Sequence, residues 1–158
     1  MGTDVDDIDR RIVNALLADG RASVRDLAAE TGVAATTVTK RLEHLETEVI
    51  QGYVPEIDYA ALGYTMTAIF HLDVRGDRLA SLVERLRESD RMIGVYEVTG
   101  SHDLVAIGKF RSTGEMNECI TDLLTNPAIR AGNTSVVLDT VREYEALSLP
   151  TDDDTSAG

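Results

Sequence analysis

Two groups of residues in this chain have the types and spacing that recognition chemistry needs. The first is Arg25, Ala35, Thr36, Thr39, Lys40 and Arg41. A threonine offers its methyl to thymine or its hydroxyl to a base edge or phosphate, and lysine and arginine are phosphate partners. Singly, each is an ordinary solvated side chain; a shared face gives them meaning. The second group is Gly100, Ser101, His102 and Asp103, with Thr134 and Ser135 further along. Glycine lets a ligand approach backbone amides, which can take a carboxylate, and aspartate can hold an ammonium by a charge-assisted bond. The same residues also spell a tight hairpin turn with a self-bonding aspartate. On the residues alone, that turn is the simpler account.

Catalytic and metal chemistry find little footing. His44, His71 and His102 lack ligand spacing. Cys119, the one cysteine, falls on the apolar stripe of a helix and suits core packing. No glycine-rich phosphate loop and no identifiable Ser/His/Asp set occurs. No cofactor is expected.

The elements that must position the first group run from Ser23 to Leu45. Ser23 with Asp26 three residues on is a capping box. Leu27, Ala28 and Thr31 form a short stripe, and Gly32 sits where a left-handed helix stop is needed. A second helix places Val38, Leu42 and Leu45 on one face. This is a helix-turn-helix pattern, whose second helix enters the DNA major groove. Ahead of it, a helix over residues 3–18 is predicted, with Asp6 and Asp9 at its start and Ile8, Ile12, Val13, Leu16 and Leu17 as its stripe.

Net charge is −13, from 28 acidic and 15 basic residues. Only Lys40 and Lys109 are lysines, and aspartates outnumber glutamates, 16 to 12. An Asp-rich, lysine-poor surface fits a high-salt cytoplasm, where salt screens the repulsion that otherwise opposes folding and DNA approach. A halophilic origin is therefore expected. With so few cations, DNA affinity must lean on close fit, base contacts and dimer avidity more than on counterion release. No apolar run is long enough to span a bilayer and no signal segment opens the chain, so a soluble cytoplasmic protein is expected.

The elements that must position the second group follow a break. VIQGYVPEI, from Val49 to Ile57, reads as a connecting strand or hinge, and Asp58 to Gly63 as a turn. Then come a strand (65–74), a helix (77–88), two strands (92–99 and 104–110), a helix (113–125) and a last strand (134–144). Strand, helix, strand, strand, helix, strand is the split ferredoxin-like layout. Two helices cover only one face of such a sheet. Ile69, Tyr96, Val105, Ile107, Val136, Val137, Leu138 and Val141 put apolar groups on the other, so a second copy of the sheet is its simplest partner. The division is residues 1–49 (a winged-type helix-turn-helix domain), 50–63 (linker strand or hinge), 64–147 (ferredoxin-like domain) and 148–158 (an acidic disordered tail).

Taken together, the chain resembles the Lrp/AsnC family (leucine-responsive regulatory protein / asparagine-synthase regulator). The likeness spans Val5 to Leu147 and rests on VDDIDRRIVNALLADGRAS at Val5–Ser23, DLAAETGV at Asp26–Val33, KRLEHLE at Lys40–Glu46, VIQGY at Val49–Tyr53, VTGSHDL at Val98–Leu104 and TSVVLDTV at Thr134–Val141. The resemblance implies an α+β protein with a DNA-binding helix-turn-helix and a ferredoxin-like (RAM/ACT-like) domain that dimerises through its sheets and assembles further, often to octamers. It also implies an amino-acid effector bound between C-terminal domains, here at Gly100, Ser101, His102, Asp103, Thr134 and Ser135. There are departures. Ala34 and Ala35 stand where the family has Ser-Pro, Glu48 where it has glycine, and Ser101-His102 where acidic and aromatic residues are common. The expected function is sequence-specific, effector-modulated transcription regulation, not enzymatic. Its rivals are an effector-independent DNA-wrapping protein and an amino-acid-sensing regulatory subunit of a metabolic enzyme.

Overall fold

The computed structural model describes residues 4–155, which fall into two compact units. The first comprises residues 1–56 with 142–158, the second Ile57–Val141.

The first unit holds α1 (Asp7–Ala18), α2 (Val24–Thr31) and α3 (Ala35–Glu48). Local chemistry fixes the ends of the first two. Asp6 and Asp9 form a full capping box on α1, and Ser23 and Asp26 do so on α2. Gly32 stops α2 at φ 71°, a left-handed conformation that a Cβ would strain. The cap of α3 is Ala34, whose side chain makes no hydrogen bond. The nearby Thr31 does not supply one either: it donates its hydroxyl back to Leu27 O at 2.7 Å. Glu48 ends α3 inside the helix and Val49 follows at φ −125°, so neither adopts a left-handed turn. Ile12, Leu27, Val38 and Leu45 are fully buried where the three helices meet. Each contributes on the order of 2 kcal/mol by leaving water.

Two expectations fail here. Residues 49–57 form no strand, because an extended segment needs a ladder partner and this unit contains none among its described residues. Val54 there is 89% exposed. The expected acidic disordered tail is instead bound over residues 148–155, with 156–158 outside the described residues. Asn14 Nδ2 donates to Leu149 O at 2.8 Å and its Oδ1 accepts from Leu149 N at 2.9 Å. Asp152 N donates to Asp7 Oδ1 at 2.7 Å, and Arg11 pairs with Asp153 at 2.7 Å. A short α6 (Asp152–Thr155) follows from these contacts. The sequence hid this because polar residues hold the tail, and their partners lie 135 or more positions away.

The second unit contains β1 (Met66–Val74), a 3-10 turn (Gly76–Arg78), α4 (Leu79–Arg87), β2 (Met92–Glu97), β3 (Leu104–Phe110), α5 (Thr113–Leu124) and β4 (Ile129–Val136). The sheet order is β2-β3-β1-β4, antiparallel throughout. One face packs Ala68, Phe70, Leu72, Leu104 and Phe110 against Leu82, Leu86, Met116, Cys119 and Leu123 of the two helices. Phe70 and Phe110 meet edge to face at 6.1 Å. On the other face Ile69 lies between Ile107 and Ser135, and His71 between Val105 and Asn133. Lys109 is buried there, its ammonium 3.1 Å from Thr67 Oγ1 and 5.7 Å from the Tyr59 ring.

The last strand begins five residues before the expected 134 and ends at Val136. β1 starts at Met66, so beyond the bond from Val137 N to Thr67 O no partner strand remains. Leu138 and Val141, expected on the sheet, are 99% and 94% exposed.

Replacing Asn14 with alanine should cost about 1–2 kcal/mol for its two lost bonds, seen as a Tm lower by roughly 2–8 °C. In a chain ending at Leu147 the same replacement should add much less, since its partner is already gone.

Candidate nucleic-acid interface and effector loop

Helical rotation turns Val38 and Leu45 inward and places Ala35, Thr36, Thr39, Lys40 and Glu43 outward, where all five are exposed. Thr39 donates its hydroxyl to Ala35 O at 3.0 Å, which orients the side chain and leaves its methyl and an oxygen lone pair outward. Arg25 is exposed on α2, and neither it nor Lys40 forms an ion pair among the described residues. These are free cations beside a threonine-lined helix face.

Arg41 is placed otherwise. Expected as a phosphate contact, it turns back toward α1. Its Nη1 lies 2.7 Å from both Asp6 carboxylate oxygens and 2.9 Å from Asp9 Oδ1. Asp9 is 5% exposed and serves the capping box with its second oxygen. Each helix turn advances about 100° per residue, so Arg41 points off the face that Lys40 shares. An open groove of about 330 Å³ runs alongside, lined by Asp9, Thr37, Lys40, Arg41 and His44. Thr37 and His44 were missed as interface candidates. Their signal is the spacing of three and four around Lys40, which puts them on one helix flank.

In the hairpin between β2 and β3, Gly100 adopts φ 114°, open only to glycine without strain. Asp103, expected either to hold a ligand ammonium or to bond its own turn, makes no side-chain bond to that turn among the described residues. Its N–H donates to Leu72 O at 3.0 Å, and its Oδ2 accepts from Val74 N at 2.7 Å and from Arg130 Nη2 at 3.5 Å. The β1–β4 register shifts between Asp73 and Val74, and a bulge of this kind interrupts the ladder. Asp103 supplies the acceptor beside that break. Its Oδ1 has no partner among the described residues. His102 Nδ1 lies 2.9 Å from Asp73 Oδ1, and its ring is 5.3 Å from that of His71. With Nδ1 donating to Asp73, the ring leaves Nε2 for another partner.

Thr134 and Ser135 do not join this loop within one chain. They pair with Phe70 and Ile69, and β1 stands between β4 and β3. Adjacent strand residues also point to opposite faces: Thr134 toward the helices with Phe70, Ser135 toward the open face with Ile69. Cys119 is buried in the core, where burial pushes its thiol up and keeps it unreactive. Among the described residues no cluster of three or more His, Cys, Asp or Glu side chains could hold a metal, and no helix is long and apolar enough to cross a membrane.

Comparison with known proteins bears on both regions. Residues 5–46 match the AsnC-type helix-turn-helix domain, and residues 67–147 match the Lrp/AsnC ligand binding domain. An uncharacterized HTH-type transcriptional regulator of Pyrococcus furiosus is 35% identical over 141 residues, covering 89% of this chain and 95% of its own. The HTH-type transcriptional regulator FL11 of Pyrococcus abyssi is 31% identical over 150 residues, covering 94% and 99%. The fold matches that of a transcriptional regulator from Neisseria meningitidis solved as a complex with L-Met, with TM-score 0.85, 19% identity and coverage of 94% and 97%. It also matches Escherichia coli AsnC, with TM-score 0.80, 23% identity and coverage of 88% and 95%.

The caps of the helical unit set its response to acid. The Asp9 backbone N–H, then Arg41, hold the Asp6 carboxyl below its ordinary 3.8. Hydrogen bonds from the side chain and backbone of Ser23 do the same for Asp26. A carboxyl depressed in the folded state adds stability above its unfolded pKa and loses it as pH falls through the folded value. The Tm of the helical unit should therefore stay level above about pH 5 and fall steeply below about pH 4. Asp6→Asn should flatten part of that fall in a thermal melt series.

Proposed function

The chain belongs to the Lrp/AsnC family of transcriptional regulators, and we propose that it reads specific DNA sites as a homodimer or higher assembly under control of a free amino acid. It is a DNA-binding regulator with a ligand-binding domain and not an enzyme. The observation that carries the specific reading is the outward face of α3. Ala35, Thr36 and Thr39 meet base edges, with Lys40 and Arg25 on flanking phosphates. Ala35 gives close approach, the threonine methyls suit thymine, and one cation from each helix sets register. Two such helices in a dimer meet half-sites about 34 Å apart, or a multiple of that.

The pairing surface in this reading is the open sheet face bearing Ile69, Val105, Ile107 and Tyr96, the last 55% exposed. A second copy of that face buries it symmetrically. The effector binds at the hairpin, where the amides around Gly100 to His102 take its carboxylate and Asp103 Oδ1 takes its ammonium. Thr134 and Ser135 come from a neighbouring subunit, because β1 keeps them from this loop in their own chain. The family match over residues 67–147 supports a ligand there, and the L-Met found with the Neisseria protein supports an amino acid. Binding one assembly better than another is how such a ligand acts. The work is done in the cytoplasm of a halophile: at −13 net charge with two lysines, the protein approaches DNA only where salt screens its carboxylates.

A duplex selected from random sequence in molar KCl should bind the wild type far more tightly than unselected DNA. Replacing Thr36, Thr39 and Lys40 together with alanine should remove at least about tenfold of that preference. Equal affinity for both duplexes in the wild type would sink the sequence-specific reading. Light scattering should give a dimer or larger, and Ile107→Asp should shift it toward monomer. In a thermal-shift series of the twenty amino acids, the effector should raise Tm through linkage, and Asp103→Ala should abolish that rise.

A further inference from the structure

We infer that Arg41 is a positioning residue that sets the rotation of α3 about its own axis, and so aims Thr36 and Thr39 at the base edges and Lys40 at a flanking phosphate. This rests on the DNA-reading role of α3 proposed above.

The geometry is directional where the rest of the contact is not. Ile12, Leu27, Val38 and Leu45 bury α3 against α1 and α2. Apolar burial has no preferred direction and tolerates rotation of a helix. A guanidinium shared between two carboxylates does not. Arg41 Nη1 reaches Asp6 at 2.7 Å and Asp9 at 2.9 Å, across 35 and 32 residues of sequence. Both carboxylates are already committed to the start of α1. Asp9 N donates to Asp6 Oδ1 at 3.0 Å, and Asp6 N donates to Asp9 Oδ2 at 3.2 Å. A turn of α3 would therefore strip a partner from the capping box and leave Asp9, 5% exposed, short of its cation.

A second observation concerns the other end of α3. Its N-cap is Ala34, which makes no side-chain hydrogen bond. The first turn, which carries Ala35 and Thr36, thus has no side-chain tie of its own at its cap. The Arg41 contact, a turn and a half further on, supplies the orientation that a capping serine would otherwise share. The charge balance agrees. Two carboxylates within 2.9 Å more than offset the guanidinium, so the cluster brings no net positive charge to the DNA. Burial of Asp9 makes its pair with Arg41 less sensitive to salt than the open pair with Asp6.

The test uses the full chain, a duplex selected by the wild type from random sequence, and an unselected duplex of the same length. Dissociation constants are measured across a KCl series. Arg41→Ala should lose at least about tenfold in preference for the selected duplex, while affinity for the unselected one and the slope of log K against log salt stay unchanged. All three contacts are made by the single nitrogen Nη1, so Arg41→Lys, whose ammonium can take its place, should keep most of the preference that Arg41→Ala loses. Asp6→Asn guards against a misfolded arginine variant. Asparagine still caps α1, so this chain stays folded while Arg41 keeps only Asp9 as its carboxylate partner, and it should lose part of the preference in the same sense. A salt slope shallower by about one per subunit, with both duplexes weakened together, would make Arg41 a phosphate ligand and overturn the inference. A folded Arg41→Ala chain with unchanged preference would also overturn it. If the wild type itself shows no preference, the proposed DNA-reading role falls first and takes this inference with it.

Discussion

A four-stranded sheet has two faces, and in this chain two helices cover one of them. α4 and α5 bury Phe70, Leu72, Leu104 and Phe110 against their own leucines. The opposite face carries Ile69, Val105, Ile107 and Tyr96 in register across three strands. Apolar side chains arrayed this way need a cover, and oligomeric assembly in the family supplies one. That constraint orders the rest. In the proposed reading, a paired sheet would give two copies of the DNA-reading unit, bring residues of β4 to a neighbour's hairpin, and tie ligand binding to assembly.

The helical unit shows how an acidic chain handles a polyanionic partner. Arg21, Arg25 and Lys40 are exposed with no ion pair among the described residues, while Arg41 turns inward to Asp6 and Asp9. The carboxylates of Asp6, Asp9 and Asp26 are not idle surface charge either. Each satisfies helix N-terminal amides that otherwise lack partners. Acid residues at helix starts also meet the positive end of the helix dipole. Much of the negative charge in this unit is thus structural, and what faces outward from α3 is hydroxyl, methyl and a single lysine beside Glu43.

At the hairpin, one residue ties the loop to the sheet. Asp103 links β3 to β1 through Leu72 O and Val74 N, and reaches toward β4 through Arg130. The register break between Asp73 and Val74 lies beside it. A ligand that drew on the free Oδ1 would act on a carboxylate already bonded to β1 and β4, with the His102 ring held by Asp73 and tilted against His71 nearby. This gives the loop a mechanical route to the sheet that a solvated turn would lack.

The amino-acid sequence by itself determined what depends on near neighbours. The capping boxes of α1 and α2 and the glycine stop at Gly32 lie within a few residues of what they control. Period-two alternation fixed β1 and β3, and the strand-helix order fixed the ferredoxin-like topology. The apolar open face was legible for the same reason. Tertiary structure alone decided the long-range polar assignments. Arg41 looked like Lys40 until Asp6 and Asp9 were brought to it, and Asp103 looked like a turn residue until Val74 N met it. The extent of β4 was set by where β1 runs out, and residues 148–155 were ordered by Asn14, Arg11 and Asp7. Apolar periodicity records which face of an element is buried. It carries no record of which distant donor a given carboxylate or guanidinium will meet, because that choice is made by the fold.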